Sequence, residues 1–136
     1  MKIDIKRVDN AFKLEATNDR GNKVYTDGGI SIGGSDSEFR PMELLLVSLA
    51  GCSAIDVINI MNKQKQEVED FRMVLEGDRT GGVPSPFTKI DVHFHLKGDI
   101  KPNKLERAIQ LTQDKYCSVL FSLRSDIDIN YHYTLN

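Results

Sequence analysis

The fold of this chain is decided by the stretch from Pro41 to Asn62, PMELLLVSLAGCSAIDVINIMN. When the stretch is wound at 3.6 residues per turn, its apolar side chains run almost all the way round. A helix without a polar side is typical of a protein interior. Pro41 at the first helical position and Glu43 in the first turn are both favoured at a helix N-terminus. The sequence therefore predicts a buried central helix over 41–63, with the thiol of Cys52 near its middle.

Length and charge limit the classes to which the protein can belong. The chain has 136 residues and a formal net charge of −2, and 28% of its residues are charged. At this length we expect one domain, residues 1–136, that can bury a core of its own. The near-neutral balance gives no indication of a nucleic acid or an anionic membrane surface as a partner.

Three features predict a cytoplasmic protein. The apolar run Leu44 to Ile55 is shorter than the roughly 20 residues that a membrane-spanning helix needs. The first ten residues, MKIDIKRVDN, lack the apolar segment of a signal peptide. Two cysteines in such a chain are typical of a reducing compartment, where thiols serve redox or packing purposes rather than forming structural disulfides.

Strand-like alternation, helical periodicity and turn residues divide the chain into successive elements. The predicted elements are a strand meander over 1–26, a loop over 27–40, the central helix over 41–63, strands over 70–97, a second helix over 102–117 and a last strand over 126–135. Between the last two, Ser118 is expected to cap a short helical piece, VLFSL. Strands interrupted by two long helices favour an α+β fold in which antiparallel sheets wrap around the helices.

The central helix also predicts an oligomer. So short a chain has little material with which to cover a helix that is apolar on every side. We therefore expect a homodimer in which two copies share a core.

Cys52 and Cys117 are far apart in the sequence, one in the middle of a helix and one at a helix end. They could be two small apolar side chains that fill gaps in the core, which is a common role of free cysteine. They could instead form a redox pair, in which one thiolate is oxidised to a sulfenic acid that condenses with the other thiol. The second interpretation requires the two sulfurs to lie close together.

The expected environments of the two thiols differ. Cys52 lies about three turns into its helix, too far from the N-terminus for the helix dipole to lower its pKa. Burial raises the pKa of a thiol, and Asp56, one turn further on, would raise it again if ionised. Cys117 is better placed if a helix begins beside it, near the cations Lys115 and Arg124.

Three histidines are the remaining candidates for a site. His93 and His95 alternate with the apolar face of one predicted strand, and His132 lies on another strand that could pair with it. Three imidazoles can bind zinc, but solvent-facing H-x-H pairs are common and no cysteine or acid pattern completes the set. We therefore expect no metal site.

The motif PMELLLVSLAGCSAIDV, followed far downstream by KYCSV, resembles the OsmC/Ohr family of osmotically induced and organic hydroperoxide resistance proteins. The similarity is greatest to its YhfA-like branch and covers essentially the whole chain. The resemblance implies an intertwined α+β homodimer whose two sheets enclose central helices. It also implies reduction of organic hydroperoxides by a cysteine pair without metal or bound cofactor, with regeneration by a dithiol of the lipoyl type.

By this resemblance Cys52 is the attacking thiol, Cys117 the resolving thiol and Glu43 the assisting acid. The family motif P-E-x-L stands here as P-M-E-L, so the acid has moved from position 42 to position 43. Nine residues at about 100° each place Glu43 half a turn round the helix from Cys52, so it would act across a dimer. The candidates for an activating arginine are Arg7, Arg20 and Arg40.

The sequence thus favours a thiol-dependent reductase of small hydrophobic hydroperoxides. The apolar side chains expected to line its substrate site are Leu45, Leu49, Ile55 and Phe121. Two alternatives remain open: a non-enzymatic dimer that binds a small apolar ligand, and a redox sensor that signals through a Cys52–Cys117 disulfide.

Overall fold

The computed structural model describes residues 1–136, and the chain divides into two compact units, Met1–Leu45 and Leu46–Asn136. The boundary falls inside the long central helix. The fold is α+β, with two three-stranded sheets, one in each unit, and two principal helices.

The first unit is the predicted meander. Its strands are β1 (Ile3–Arg7), β2 (Leu14–Asn18) and β3 (Lys23–Thr26), joined in antiparallel order β1-β2-β3. Residues Asn18 to Asn22 form the turn between β2 and β3, where Gly21 has a φ of +83°, a conformation that glycine adopts without strain. A short 3-10 helix, Ile30–Ile32, lies in the loop that follows.

The central helix α1 spans Pro41–Lys63, the range that the sequence predicts. Its first turn is closed by the Glu43 carboxylate, which accepts the backbone N–H of Arg40 at 2.8 Å. This contact is one half of a capping box, in which an acid at the third helical position satisfies a free N–H at the helix start.

The second unit contains the rest of α1 and a mixed sheet. The long strands β4 (Glu67–Arg79) and β5 (Phe87–Asp99) form an antiparallel hairpin, and β6 (Asp128–Leu135) completes the order β4-β5-β6. The prediction of antiparallel sheets is wrong for β6, which pairs with β5 in parallel. The reason is the helical connection between them, because a chain that crosses back over the sheet starts its next strand at the same end as the last.

The second helix is shorter than the predicted 102–117. The α-helix α2 ends at Leu111 (Pro102–Leu111), and residues 112–116 form one π-helical turn before a short helix, α3 (Ser118–Ser122). The π turn is closed by the Cys117 N–H, which donates to the Thr112 carbonyl at 3.0 Å. π turns are rare in proteins, and those that occur are often found at functional sites.

The core of the second unit is formed by one face of each of three elements, β5, α1 and α2. Alternate side chains of β5 are buried, and so is one stripe of α1 and one of α2. The members are Ile90, Val92, Phe94 and Leu96 of β5, Leu49, Ser53, Val57 and Met61 of α1, and Leu105, Ala108 and Ile109 of α2.

As expected for so short a chain, a single copy covers α1 along one stripe only. Its opposite face is open, with Val47 49% and Ile55 70% exposed. By length and composition α1 is also apolar enough to cross a membrane, a test that the core helices of soluble proteins pass as well.

Candidate active site

Cys52 is carried by the middle of α1, one turn before Asp56 and next to the buried Ser53. Residues four apart on a helix lie on the same face, so the Cys52 thiol and the Asp56 carboxyl are neighbours. The Cys52 side chain is half-buried, which leaves part of it accessible. The helix therefore presents a thiol and an acid side by side.

Cys117 is delivered by the π turn at the end of α2. The backbone leaves the helix there in an extended conformation, with φ −74° and ψ 94°, and α3 then begins. Cys117 itself is the N-cap of α3, since its Sγ accepts the Leu120 N–H at 3.5 Å. The prediction that Ser118 caps this helix is thus wrong by one residue.

The structure brings the two predicted thiols together. The sulfur atoms of Cys52 and Cys117 and a carboxylate oxygen of Asp56 all lie within 4.8 Å of one another. Both cysteines are free thiols, and Ser53 Oγ lies 3.8 Å from the Cys117 Sγ. A disulfide has an S–S bond of about 2.05 Å, so the sulfurs need to approach by less than about 3 Å to form one.

The environment of Cys117 disfavours its thiolate. The side chain is completely buried, and this burial is the main reason that its pKa is raised above the ordinary thiol value. Cys52 raises the pKa further, while the Leu120 N–H and Ser53 act in the opposite direction. None of these groups is a cation. The expectation that a helix start would favour the Cys117 thiolate is therefore outweighed by desolvation.

Two polar side chains complete the cluster; the sequence placed Asp56 one turn from Cys52 without giving it a role, and it did not identify Tyr131. Asp56 Oδ2 and the Tyr131 hydroxyl are buried atoms without a hydrogen-bond partner. Burial raises the pKa of Asp56. Burial, followed by the negative charges of Cys117 and Cys52, raises the pKa of Tyr131 to about 12. We refer to Cys52, Asp56, Cys117 and Tyr131 as the thiol cluster.

The i,i+4 spacing of Cys52 and Asp56 was a signal that could have identified the acid. Tyr131 offered no comparable signal. It lies on β6, whose position beside β5 depends on the parallel crossover.

Glu43, the third predicted site residue, lies in the first turn of α1, where its carboxylate holds the Arg40 N–H. Of the predicted arginines, Arg40 forms an ion pair with Asp36, with 2.7 Å between Nη2 and Oδ1. These contacts belong to the first unit of the chain.

A cleft of about 370 Å³ opens next to the thiol cluster, with Tyr131 as a shared residue. Five of its ten lining residues are apolar, and Arg124, which forms an ion pair with Asp126, is among the polar ones. The apolar lining residues are Leu120, Phe121, Leu123, Ile127 and Ile129. Of the residues predicted to line a substrate site, Phe121 lies here, whereas Leu49 is fully buried in the core.

The three histidines lie together elsewhere on the second sheet. His93 of β5 pairs in register with His132 of β6, and its ring stacks on His95 with 4.2 Å between centroids. They line a second pocket of about 380 Å³ with Val74, Glu76 and Asp91. His93 Nε2 lies 2.8 Å from the Thr134 hydroxyl, and His132 Nε2 lies 3.6 Å from an Asp91 oxygen.

The side chains whose donor atoms are close enough together to hold a metal ion are Cys52, Asp56 and Cys117. Zinc binds cysteine as the thiolate, and the burial that raises the pKa of Cys117 disfavours that form, so we do not assign the three groups as metal ligands. The three groups suit thiol redox chemistry, in which a carboxyl group can accept or donate a proton.

Comparison with known proteins identifies the family. The model of the family described as OsmC-like protein matches residues 34–132. Protein YhfA of Escherichia coli K12 is 37% identical over 114 residues, which are 83% of this chain and 82% of YhfA.

Solved structures agree over the whole chain. A hypothetical protein from Aquifex aeolicus, 27% identical, superposes with a TM-score of 0.86 over 99% of this chain and 95% of its own. A candidate organic hydroperoxide resistance protein from Vibrio cholerae, with captopril bound in one of its active sites, has a TM-score of 0.68 at 12% identity, over 98% of this chain and 91% of its own. The chain belongs to the OsmC-like protein family.

Proposed function

We propose that this protein reduces organic hydroperoxides with Cys52 and Cys117 as a redox pair. The observation that carries the proposal is the meeting of the two sulfurs. Residues remote in the sequence are brought within 4.8 Å of each other, in a family to which this chain belongs. Two cysteines that only filled gaps in the core would have no need to meet.

The reaction balances with two thiols and one hydroperoxide. The Cys52 thiolate attacks one peroxide oxygen, the O–O bond breaks, and the products are a Cys52 sulfenic acid and, after proton transfer, an alcohol. The Cys117 thiol then attacks the Cys52 sulfur, water leaves and a disulfide forms. An external dithiol reduces this disulfide by exchange and returns both thiols.

Solvent access supports the proposed order of the two thiols. Cys52 is half-buried, so a substrate can reach its sulfur, whereas Cys117 is completely buried and its pKa is raised. A nucleophile must be accessible and ionised at the moment of attack. Cys52 is therefore the attacking thiol and Cys117 the resolving thiol.

Small hydrophobic hydroperoxides are the proposed substrates, because half of the residues that line the cleft beside Tyr131 are apolar. Tyr131 keeps its proton at neutral pH, since its pKa is about 12. Its unpartnered hydroxyl can donate a hydrogen bond to a peroxide oxygen.

We further propose a soluble, cytoplasmic homodimer that is regenerated by a dithiol. Family membership makes α1 a core helix of an OsmC-like protein rather than a membrane span. The exposed apolar side chains of α1 leave a surface for the second copy. Glu43 is the proposed assisting acid, and its place half a turn round α1 from Cys52 requires it to act between copies.

Steady-state reduction of cumene hydroperoxide with dihydrolipoamide as the electron donor tests the proposal. Wild type should turn over, and Cys52→Ser and Cys117→Ser should each abolish turnover. Ser85→Ala, in the exposed loop between β4 and β5, is the matched control and should keep it. Absence of turnover in the wild type would leave a non-enzymatic role, such as binding of a small apolar ligand.

A further inference from the structure

If the proposed reductase function, on which this inference rests, is correct, the thiol cluster has to supply a proton to the oxygen that leaves as the alcohol. Breaking the O–O bond of an alkyl hydroperoxide releases an alkoxide, which is a poor leaving group until it is protonated or held by a cation. The groups that act most strongly on Cys117 and on Tyr131 include no cation. The cluster therefore needs an acid.

Asp56 is the acid that the geometry offers. One of its carboxylate oxygens lies within 4.8 Å of both sulfurs, because the residue follows Cys52 by one helical turn and faces Cys117. Its Oδ2 is buried and makes no hydrogen bond. A buried carboxyl oxygen without a partner is costly to maintain, and such exceptions call for an explanation.

The surroundings of Asp56 favour its protonated form. Burial raises the pKa of the carboxyl, so Asp56 carries its proton at a higher pH than an exposed aspartate does. The titratable groups beside it are Cys52 on its own helix and Cys117 from the π turn. Each of them is neutral or negative, so neither stabilises an Asp56 carboxylate.

We propose that Asp56 is the proton donor of the reaction and delivers its proton to the departing alkoxide. In the first step the Cys52 S–H bond breaks and its proton passes to solvent, which leaves a thiolate beside the neutral Asp56 carboxyl. In the second step sulfur donates an electron pair to one peroxide oxygen, the O–O bond breaks, and the Asp56 proton passes to the other oxygen. Sulfur is oxidised to sulfenic acid, the peroxide is reduced to an alcohol, and Asp56 ends as a carboxylate that regains a proton from solvent before the next turnover.

The other polar groups of the site are weaker candidates. Tyr131, with a pKa of about 12, is a poor acid near neutrality and is better suited to donating a hydrogen bond. The Ser53 hydroxyl is weaker still as an acid, and its nearest sulfur is that of Cys117, at 3.8 Å. The carboxyl group is therefore the acid that is matched to the task.

The test compares two oxidants that differ in their need for a proton. Cumene hydroperoxide releases an alkoxide, whereas peracetic acid releases acetate, which leaves without being protonated. Single-turnover oxidation of Cys52 is followed in the full chain for wild type, Asp56→Asn, Asp56→Glu and Asp78→Asn. Asp78 is an exposed residue of β4 and supplies the matched control.

The expected result for Asp56→Asn is a rate about 100-fold lower with cumene hydroperoxide, the usual size of a general-acid contribution. With peracetic acid the same variant should stay close to the wild-type rate. Asp56→Glu should recover part of the lost rate because it restores a carboxyl group, and Asp78→Asn should match wild type with both oxidants.

Three outcomes would overturn the proposal, and they separate it from the proposed function. Equal losses with both oxidants would mean that Asp56 supports the structure only. No loss with either would mean that Asp56 carries no proton, while the reductase function stands. A wild type inert to both oxidants would remove the reductase function, and the proton transfer with it.

Discussion

At the scale of the residue, the chemistry depends on what surrounds each sulfur. The sequence identifies Cys52 and Cys117 through their motifs, and the structure places their sulfurs within 4.8 Å. The sequence could not identify Tyr131, because a residue on the last strand reaches the cluster only through the crossover between β5 and β6. Asp56 was readable as a helical neighbour of Cys52, but its missing hydrogen-bond partner depends on the packed structure.

The buried thiol should react slowly with alkylating agents. Because burial raises the pKa of Cys117, its reaction with iodoacetamide in Cys52→Ser should reach half its maximal rate above pH 8.5, the ordinary thiol value. Mass spectrometry of digests taken across a pH series measures the rate. The thiol of Cys52 in Cys117→Ser provides the comparison, and it should react faster because it is more exposed. A Cys117 that reacts faster than Cys52 at pH 7 would contradict the assigned roles.

Protonation of Asp27, in the loop before α1, should lower the stability of the protein in acid. Burial tends to raise the pKa of this carboxyl, but hydrogen bonds from Ser37, Gly28 and Ser35 together hold it below its ordinary value. A depressed folded pKa stabilises the protein above the unfolded value of about 3.9, and that contribution is lost as the pH falls through the folded pKa.

Urea unfolding at pH 7 and near pH 3 measures this contribution. Asp27→Asn should be destabilised relative to wild type at pH 7, and the gap should narrow in acid. The exposed Asp4→Asn is the control and should follow wild type at both values. A gap that is independent of pH would show that the Asp27 charge has no part in the stability.

At the scale of the element, strong local patterns predicted structure well and long-range pairing was not predictable from them. The apolar run of α1 is too long for an ordinary buried strand, and the alternation of β5 is the pattern of a half-buried strand, so each predicted its element. The π turn after Leu111 has no periodic signature, since it adds one residue within a helical stretch. The direction of β6 follows from its connection rather than from its own residues.

The β4–β5 hairpin depends on Gly98. Its φ is +141°, and a Cβ there would lie 2.0 Å from the Glu67 carbonyl oxygen, at the irregular pairing between Val68 and Asp70. Gly98→Ala should therefore lower the free energy of unfolding by about 1–3 kcal/mol, the usual range for a strained backbone position. Gly81→Ala, where an added Cβ meets no atom within 4 Å, is the control. Equal stability of the two variants in urea unfolding would contradict the steric argument.

At the scale of the whole molecule, α1 presents an apolar face that a single chain does not cover. Val47 and Ile55 are 49% and 70% exposed, and the small residue Gly51 lies between them on the same face. A run of apolar and small side chains four apart suits close packing of a second helix. This surface is the basis for expecting a dimer.

Replacing Ile55 by Asp should break that dimer, because a charge would be buried in the interface. Light scattering should give twice the 15.3 kDa chain mass for wild type and a value near the chain mass for the variant. Val83→Asp, at a fully exposed apolar residue in the loop between β4 and β5, should leave the mass unchanged. A wild type that scatters as a single chain would rule out the dimer.

The most direct test of the central claim is the product of one stoichiometric oxidation. The reduced protein receives one equivalent of cumene hydroperoxide without any reductant, and its thiols and digested peptides are then analysed by mass spectrometry. We predict the loss of both thiols, an intramolecular link between the Cys52 and Cys117 peptides, and one equivalent of cumyl alcohol. Two intact thiols with unconsumed peroxide would contradict the account and leave the cysteines with a packing role.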